Sequence, residues 1–578
     1  MKQFFTVTFL VALAVLLIAP SLLMASDTLT VYASGPTLDK VILSDTAGNG
    51  SKLHHVYKLV TTDTVYIFDG TITTSENFTL WGVPNALTGK LPCIQPDVLQ
   101  DNSIPGVLFT FTGHSTKATL ANVYLLGISV GNTINYGSGQ AVQISGDSIK
   151  FVANNVIFEQ WSQFAIGYAA NWDKFWITNC KFRNMTTLPT QWYVGEVIRN
   201  ENYIGAFPTD TIIFKYNTML GVSGYATAAT GGIVHDYEFS HNDVILTFKN
   251  PFFLDRMVNA KFDNNIFYDA YAGGENKTEY GGWDSFTANT GPSLITLGPL
   301  DSLTAARLLG HAITTAQDTA AAEAARNIEV KNNVYFWSAK LVNFLTAWND
   351  TAHSDSIYTA TWMNASTMAM FNTPAKWPGF VQSGNQNIDP GFGASIAGVT
   401  DSNGGNGVGL LNWLTAVRNA SGSTQTYGYK LTVVGSSITW TPTWPLPETN
   451  DLVYSDVALK TGGTDGLAVG DPYWIIGTVT GVKAKNSELP TKFALKPVYP
   501  NPFNPSTNIQ YSLNKSGLVS LKIYNVLGQL VKTVYDNVNQ APNTYTVRVD
   551  MSDFTSGVYM TVLQQGSNRL VQKMMLVK

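Results

Sequence analysis

Six short segments in the middle of the chain carry one pattern: VANNVIF from Val152, ITNCKF from Ile177, FKYNTML from Phe214, FSHNDVI from Phe239, FDNNIFY from Phe262 and VKNNVYF from Val330. Each opens on an apolar residue. Three positions later stands Asn155, Cys180, Asn217, Asn242, Asn265 or Asn333, and two further on another apolar residue. Successive members of this column are 25, 37, 25, 23 and 68 residues apart. A unit of this length cannot bury an apolar face alone, so a period in the twenties predicts stacked rungs. Apolar residues alternating on either side of the column read as strand. The asparagine falls where the chain must bend, because it tolerates left-handed backbone and its amide can satisfy freed backbone groups. Stacked amides can also bond to one another in a ladder. Cys180 fills one place as a small residue.

The pattern resembles the right-handed parallel β-helix of the pectin-lyase-like superfamily. The resemblance extends to VYIFDGTIT and NFTLWG (Val65–Gly82) as an opening rung, to ATLANVYLLGISV (Ala118–Val130), and to NQNIDPGF (Asn385–Phe392) as a closing rung. The fold class expected is all-β. A parallel β-helix solenoid spans 26–395, and an irregular β-rich region over 396–480 caps its C-terminal end, where unpaired strands would otherwise be exposed. That region includes a hairpin turning at Gly435–Ser436. The longest gap in the repeat holds the Ala-rich, proline-free stretch 302–326, which predicts one helical insertion leaning on the solenoid. A β-sandwich or jelly roll is the alternative, but neither has a rung-length repeat.

The two ends read differently. MKQFFTVTFLVALAVLLIAPSLLMAS has one cation, an apolar run and small residues near Ala25, the pattern of a signal peptide over 1–25. A linker over 481–492 leads to a small Ig-like β-sandwich over 493–578. It opens on Pro500, Pro502 and Pro505 and continues in alternating strands. YPNPFNPST, LKIYNVLGQLV, SGVYM and QKMMLVK, in that order to the last residue, strongly resemble the C-terminal sorting domain of type IX secretion substrates. The resemblance implies a partner, the type IX secretion machinery. It also implies export through the periplasm of a Bacteroidetes-like bacterium, then release or outer-surface attachment once the domain is removed. A generic immunoglobulin-like module is the other reading. Asp-Ser/Thr-aliphatic (or Ala) triplets starting at Asp27, Asp45, Asp63, Asp147, Asp210, Asp301, Asp318, Asp350 and Asp355 resemble the O-glycosylation motif of such secreted proteins and suggest a glycoprotein.

Charged residues make up 13% of the chain and the net charge is −5 with no basic run, so nucleic acid is not an expected partner. Two cysteines, Cys93 and Cys180, exclude a disulfide framework and a multi-cysteine metal site, and both read as buried thiols. Many β-helix proteins cleave acidic polysaccharides, which takes a base and a cation or Ca²⁺ to stabilise the developing charge. Calcium needs converging oxygens, yet no outward column stacks carboxylates. The position after the ladder gives Val156, Lys181, Thr218, Asp243, Ile266 and Val334, the mixture of a solvated face. Catalytic candidates are therefore local: His235, Asp236, His241 and Asp243 in HDYEFSHND, with Asp255 and Arg256 nearby. Asp255–Arg256 reads equally as a plain ion pair. Binding candidates are Tyr271, Tyr280 and Trp283 in one loop, and Trp192, Glu196 and Arg199 in another. Aromatic faces stack on sugars and carboxylates hold hydroxyls; the same rings could equally pack on the solenoid wall. The reading is an exported β-helix protein with a polysaccharide ligand or an adhesive role, requiring no cofactor and with room for Ca²⁺. A polysaccharide lyase or glycoside hydrolase is the rival, a surface-layer or filament subunit the third. No metal ligands and no oligomeric state follow from the sequence.

Overall fold

The computed structural model describes residues 27–476 and 492–578, except 62–63, 86–87, 102, 131–137, 186–194, 202–206, 230–232, 255, 277–292, 351–356, 359, 394–395, 397–409, 419–431, 435–436, 440–451, 499–500, 515–516, 541–542 and 553. The chain divides into two compact units, Met1–Thr478 and Val479–Lys578.

The first unit is built from three parallel ladders. The first passes through Thr28–Val31, Val56–Val60, Phe78–Val83, Lys117–Leu126, Lys150–Glu159, Asp173–Thr178, Thr209–Lys215, Val234–Ser240, Met257–Asp263, Asn327–Lys331 and Gly379–Ser383. The second runs from Tyr66–Phe68 and Cys93–Pro96, through the later halves of Lys117–Leu126 and Lys150–Glu159, to Lys181–Met185, Thr218–Val222, Asp243–Ile245, Ile266–Tyr268, Val334–Phe336 and Gln386–Asn387. The two long strands fuse these ladders into one nineteen-stranded sheet. The third is a seven-stranded sheet from Ile72–Thr74 to Phe252–Phe253. Each circuit of the chain advances by one strand spacing, about 4.8 Å, the arrangement of a β-solenoid. Rungs begin at Thr28 and Val56, ahead of the opening rung expected at Val65. The helix Leu38–Ser44 buries Leu38 and Ile42 in the same core.

Inward positions are filled by rings that repeat with the rung. Phe111, Phe151 and Phe175 follow one another at centroid distances of 6.3 and 6.4 Å, and Phe158 stacks on Phe182 at 5.0 Å. Beside them runs the amide ladder. Asn242 donates its backbone N–H (2.8 Å) and its Nδ2 (3.1 Å) to Asn265 Oδ1, and Asn265 repeats both bonds to Asn333 at 3.1 and 2.8 Å. Asn217 joins on one side and Asn385 on the other, while Cys180 donates its backbone N–H to Asn217 and turns its thiol to Thr178 O. The left-handed bend belongs to the residue before each amide, at Asn179, Tyr216, His241, Asn264 and Asn332. Asn155 departs from the column as the sequence aligned it. It is itself left-handed (φ 52°), and strand register sets Asn154 beside Thr178 and Ile157 beside Lys181, so Val156 holds the inward place. The cause is the phase of that strand: Ala153 is buried and Val152 is not.

The predicted helical insertion is two helices. Ser302–Leu309 ends on left-handed Gly310, and Ala316–Ala324 starts with a capping box between Thr315 and Asp318. Buried Glu323 and Arg326 tie it down: Arg326 donates to Met257 O and Gly298 O, each at 2.9 Å, and Glu323 accepts from Trp377 Nε1 at 2.7 Å. Within the region 396–480, expected as a cap on the C-terminal end, Leu452, Leu459, Val469 and Trp474 lie along the flank of the second ladder, packed on Leu220, Ile245, Ile266 and Val334. Thr432–Val434 and Ser437–Thr439 form the expected antiparallel hairpin.

The second unit holds a three-stranded and a four-stranded antiparallel sheet. Ile509, Tyr511 and Leu513 of the one share a core with Val519, Leu521, Leu563 and Met574 of the other.

Candidate functional site

The strand Val234–Ser240 puts His235 and Asp236 side by side on the outer face of the first ladder, both about half exposed, with His235 Nδ1 3.1 Å from Asp236 Oδ2. Asn259 of the next rung donates to Asp236 Oδ1 at 2.9 Å. His241 and Asp243 stand elsewhere. His241 occupies the left-handed bend (φ 53°) and is buried, and Asp243 opens the second-ladder strand. The four residues therefore do not converge. Asp255 lies outside the described residues. Arg256 pairs with Asp301 at 2.5 Å, and Asp301 also caps the helix Ser302–Leu309.

His241 and Asp243 are buried by a strap over 462–474. His241 Nδ1 donates to Ala468 O at 2.8 Å, and its Nε2 lies 3.2 Å from both Asp465 Oδ2 and Asn264 Nδ2. Gly470 crosses directly over Asp243. Its φ is +82°, and a Cβ there would come within 2.1 Å of Asp243 Oδ1, so only glycine fits. Thr218 donates to Asp471 Oδ2 at 2.8 Å and accepts from Trp474 Nε1 at 2.6 Å, while Lys181 Nζ sits 3.6 Å above the Tyr473 ring. Among the described residues neither Asp243 oxygen completes a hydrogen bond. Burial, then the facing Asp471 carboxyl, holds Asp243 well above the usual carboxylate range, and the Asp471 N–H dipole offsets little of this. Burial also pushes Asp471 up to about 6, against the pull of Lys181, the Tyr473 N–H, Thr218 and His241. The column that the sequence read as solvated is thus interior. Lys181, Thr218, Asp243, Ile266 and Val334 are all buried, because residues more than 200 positions later cover part of it.

Glu196 and Arg199 share the third-ladder strand Glu196–Asn200 and are both buried, with Arg199 Nη1 2.5 Å from Glu196 Oε1 and the guanidinium 5.3 Å from the Phe164 ring. Burial raises the Glu196 carboxyl to about 7, although Arg199 and Lys249 pull it down. Tyr271, offered as a binding ring, is 2% exposed and belongs to the solenoid core. Trp192, Tyr280 and Trp283 lie outside the described residues. Cys93 and Cys180 are buried and unbridged, and burial pushes the Cys180 thiol up to about 12.

Sequence reasoning missed two groups. Arg183 grips Glu159 with Nε at 2.8 Å and Nη2 at 2.5 Å, and Tyr124 and Asn184 also donate to Glu159. These partners are drawn from three rungs, and no local motif marks them. The other group is the outer face of the first ladder. It presents Trp81 (40% exposed) with Lys58 Nζ 5.6 Å from its ring, and Trp176 with Lys150 Nζ at 4.0 Å. Further along, its charges pair as Lys215–Glu238 (3.0 Å), Lys261–Asp263 (3.0 Å) and Lys331–Glu329 (3.1 Å). Alternating exposure along these strands is the signal that could have exposed it. Among the described residues no group of three or more His, Cys, Asp or Glu is placed to hold a metal ion, and no helix is long and apolar enough to cross a membrane.

No curated protein matches the chain. Residues 497–578 match the family described as the secretion system C-terminal sorting domain. The chain thus carries a C-terminal type IX sorting domain that engages that export machinery, and the protein is secreted to the outer surface or beyond.

Proposed function

We propose that this is an exported right-handed parallel β-helix protein, similar in fold to the pectin-lyase-like group, that binds glycan in an adhesive or structural role after its Ig-like C-terminal module is removed. One observation carries the reading: the first ladder offers a solvent-facing sheet bearing the exposed ring of Trp81 and the part-buried ring of Trp176. They stand on strands three rungs apart, about 14 Å at the spacing of paired strands. An aromatic ring with one apolar face available is the usual platform for an amphipathic partner. A glycan array tests it. The wild-type chain is expected to retain at least one glycan class, and Trp81→Ala with Trp176→Ala to weaken that binding about tenfold, near 1.4 kcal/mol, at unchanged melting temperature. Undiminished retention by the double variant rules the face out. The reading requires no cofactor, and repeating the array in EDTA checks for a Ca²⁺ contribution.

The rival enzyme reading has one observation in its favour. Glu196 is a buried carboxyl poised near neutrality beside Arg199, the condition a general acid or base requires. If acidic glycans incubated with the protein gave ultraviolet-absorbing unsaturated ends, and Glu196→Gln abolished them, the lyase reading would replace the binding one.

A further inference from the structure

The fold assembles a feature on the first ladder that no stretch of the sequence contains. Lys117, Lys150 and Lys174 are register partners on three consecutive strands. The next residues along, Ala118, Phe151 and Phe175, are buried in the core, so the lysines face outward. The three lysines therefore leave the sheet from one line of register partners about 10 Å long. Like charges directly opposite on neighbouring strands are unfavourable, and this column is only partly relieved from within. Lys174 Nζ lies 3.4 Å from Asp210, and Lys150 rests over Trp176. Among the described residues neither Lys117 nor Lys150 has a carboxylate partner. Past these rungs the column changes to Thr211, Asp236, Asn259 and Asn327, so the cationic part is confined to the early rungs. It is a basic stripe on a protein of net charge −5.

We propose that this stripe binds a linear acidic polysaccharide, with its carboxylate or sulfate groups on Lys117, Lys150 and Lys174 and its sugar faces on Trp81 and Trp176. The proposal rests on the glycan-binding reading above and adds the charge of the ligand and the residues that select it. Lysine suits this task as a compact point charge on a flexible stem, which follows anions repeated along a chain without demanding one geometry. Neutralising several such charges on a polymer releases counterions, so the binding is expected to be strongly salt-dependent. Single-stranded nucleic acid also combines charge with stacking on aromatic rings. Glycan is favoured because the protein is exported, and nucleic acid becomes an outcome of the test.

The experiment measures binding of the secreted wild-type chain to immobilised polygalacturonate, dextran sulfate, neutral dextran and poly(dT). Expected is retention of polygalacturonate, dextran sulfate or both, whose comparison separates carboxylate from sulfate preference, weakened at least tenfold between 50 and 500 mM NaCl. Lys117→Gln with Lys150→Gln is expected to lose at least tenfold at low salt. Lys261→Gln, on the same face but paired with Asp263, is expected to behave as wild type. The salt series on the unaltered chain needs no variant to fold. Salt-insensitive binding, equal binding of neutral dextran, or poly(dT) bound more tightly than either acidic glycan overturns the proposal. Neutral dextran held through Trp81 and Trp176 would do so while leaving the glycan-binding reading intact, whereas retention of none of the polymers would remove both.

Discussion

Asp243 is the residue whose chemistry is least expected from its neighbours. Its carboxyl is buried under Gly470, opposite the carboxyl of Asp471, on which Lys181 and His241 act, and its charge reaches Tyr454. An acid whose folded pKa is raised keeps its proton in the native state, while the unfolded carboxyl loses it near 3.9. The native state then binds more protons across that interval, and stability falls as pH rises through it. For Asp471 the loss runs from about pH 4 to about 6; for Asp243, held well above its ordinary value, it begins at the same point and is complete only above its folded pKa. Within the interval each pH unit costs about 1.4 kcal/mol per group. Asp243→Asn removes one of the two titrations. The difference in stability between variant and wild type is therefore expected to shift in the variant's favour from pH 4 to pH 8, read from urea unfolding at each pH. A difference that stays constant with pH would show that Asp243 does not ionise against the fold.

At the scale of the element, the amide ladder and the bend next to it make separable contributions. Asn265 Oδ1 receives both donors of Asn242, and its Nδ2 donates to Phe239 O at 2.7 Å and to Asn333 Oδ1 at 2.8 Å. Truncation to alanine orphans several buried groups, each worth about 1–3 kcal/mol. Asn155 has a half-buried side chain whose one amide contact runs to Asn122; its replacement by alanine mainly adds the strain of a left-handed residue, about 1–2 kcal/mol. Asn265→Ala is expected to lower unfolding free energy by at least 3 kcal/mol, and by clearly more than Asn155→Ala; equal losses would mean that the ladder adds nothing beyond its bends. This contrast also marks where the sequence was legible. The column could be read because asparagine recurs at a fixed place between apolar residues. Its first member was misplaced because Asn154 and Asn155 are adjacent, and only the packing of Ala153 in place of Val152 sets the phase. The burial of Asp243 was not legible, since its cover is supplied more than 200 residues later. The lysine column was hidden for a related reason. Lys117, Lys150 and Lys174 are 33 and 24 residues apart, and only strand register brings them into line.

At the scale of the whole molecule, the four C-terminal motifs fall into two groups. Three of them meet. Phe503 of YPNPFNPST is buried, donates its N–H to Met575 O at 2.9 Å and accepts from Val577 N at 2.9 Å, while the Lys578 N–H reaches Ser556 Oγ at 2.9 Å. Packing within the unit thus brings these three motifs together. LKIYNVLGQLV differs: Leu521 and Ile523 are buried in the core, but the apolar residues of its turn do not pack. The turn is built by Asn525, whose Oδ1 accepts from the N–H groups of Leu527 and Gln529, each at 3.0 Å, and by Gly528 at φ +78°. Val526 and Leu527 are left 69% and 79% exposed, with Leu530 at 49% beside them. Folding gains little from side chains that stay in water, and apolar residues clustered on a surface mark a contact with another protein. In a unit that engages the export machinery, this tip is where such a contact is expected. Val526→Ser with Leu527→Ser should leave the melting temperature of the full chain within about 2 °C, since surface changes of this kind fall within ~0.5 kcal/mol. The same variant should reduce the amount reaching the cell exterior several-fold, with the balance retained inside the cell. Asn525→Ala separates stability from recognition. It leaves both apolar residues in place but removes the acceptor that holds the turn, so its effect on secretion should follow its loss of stability. Wild-type secretion of the double serine variant would exclude the tip as the contact and return the search to the two sheet faces of the unit.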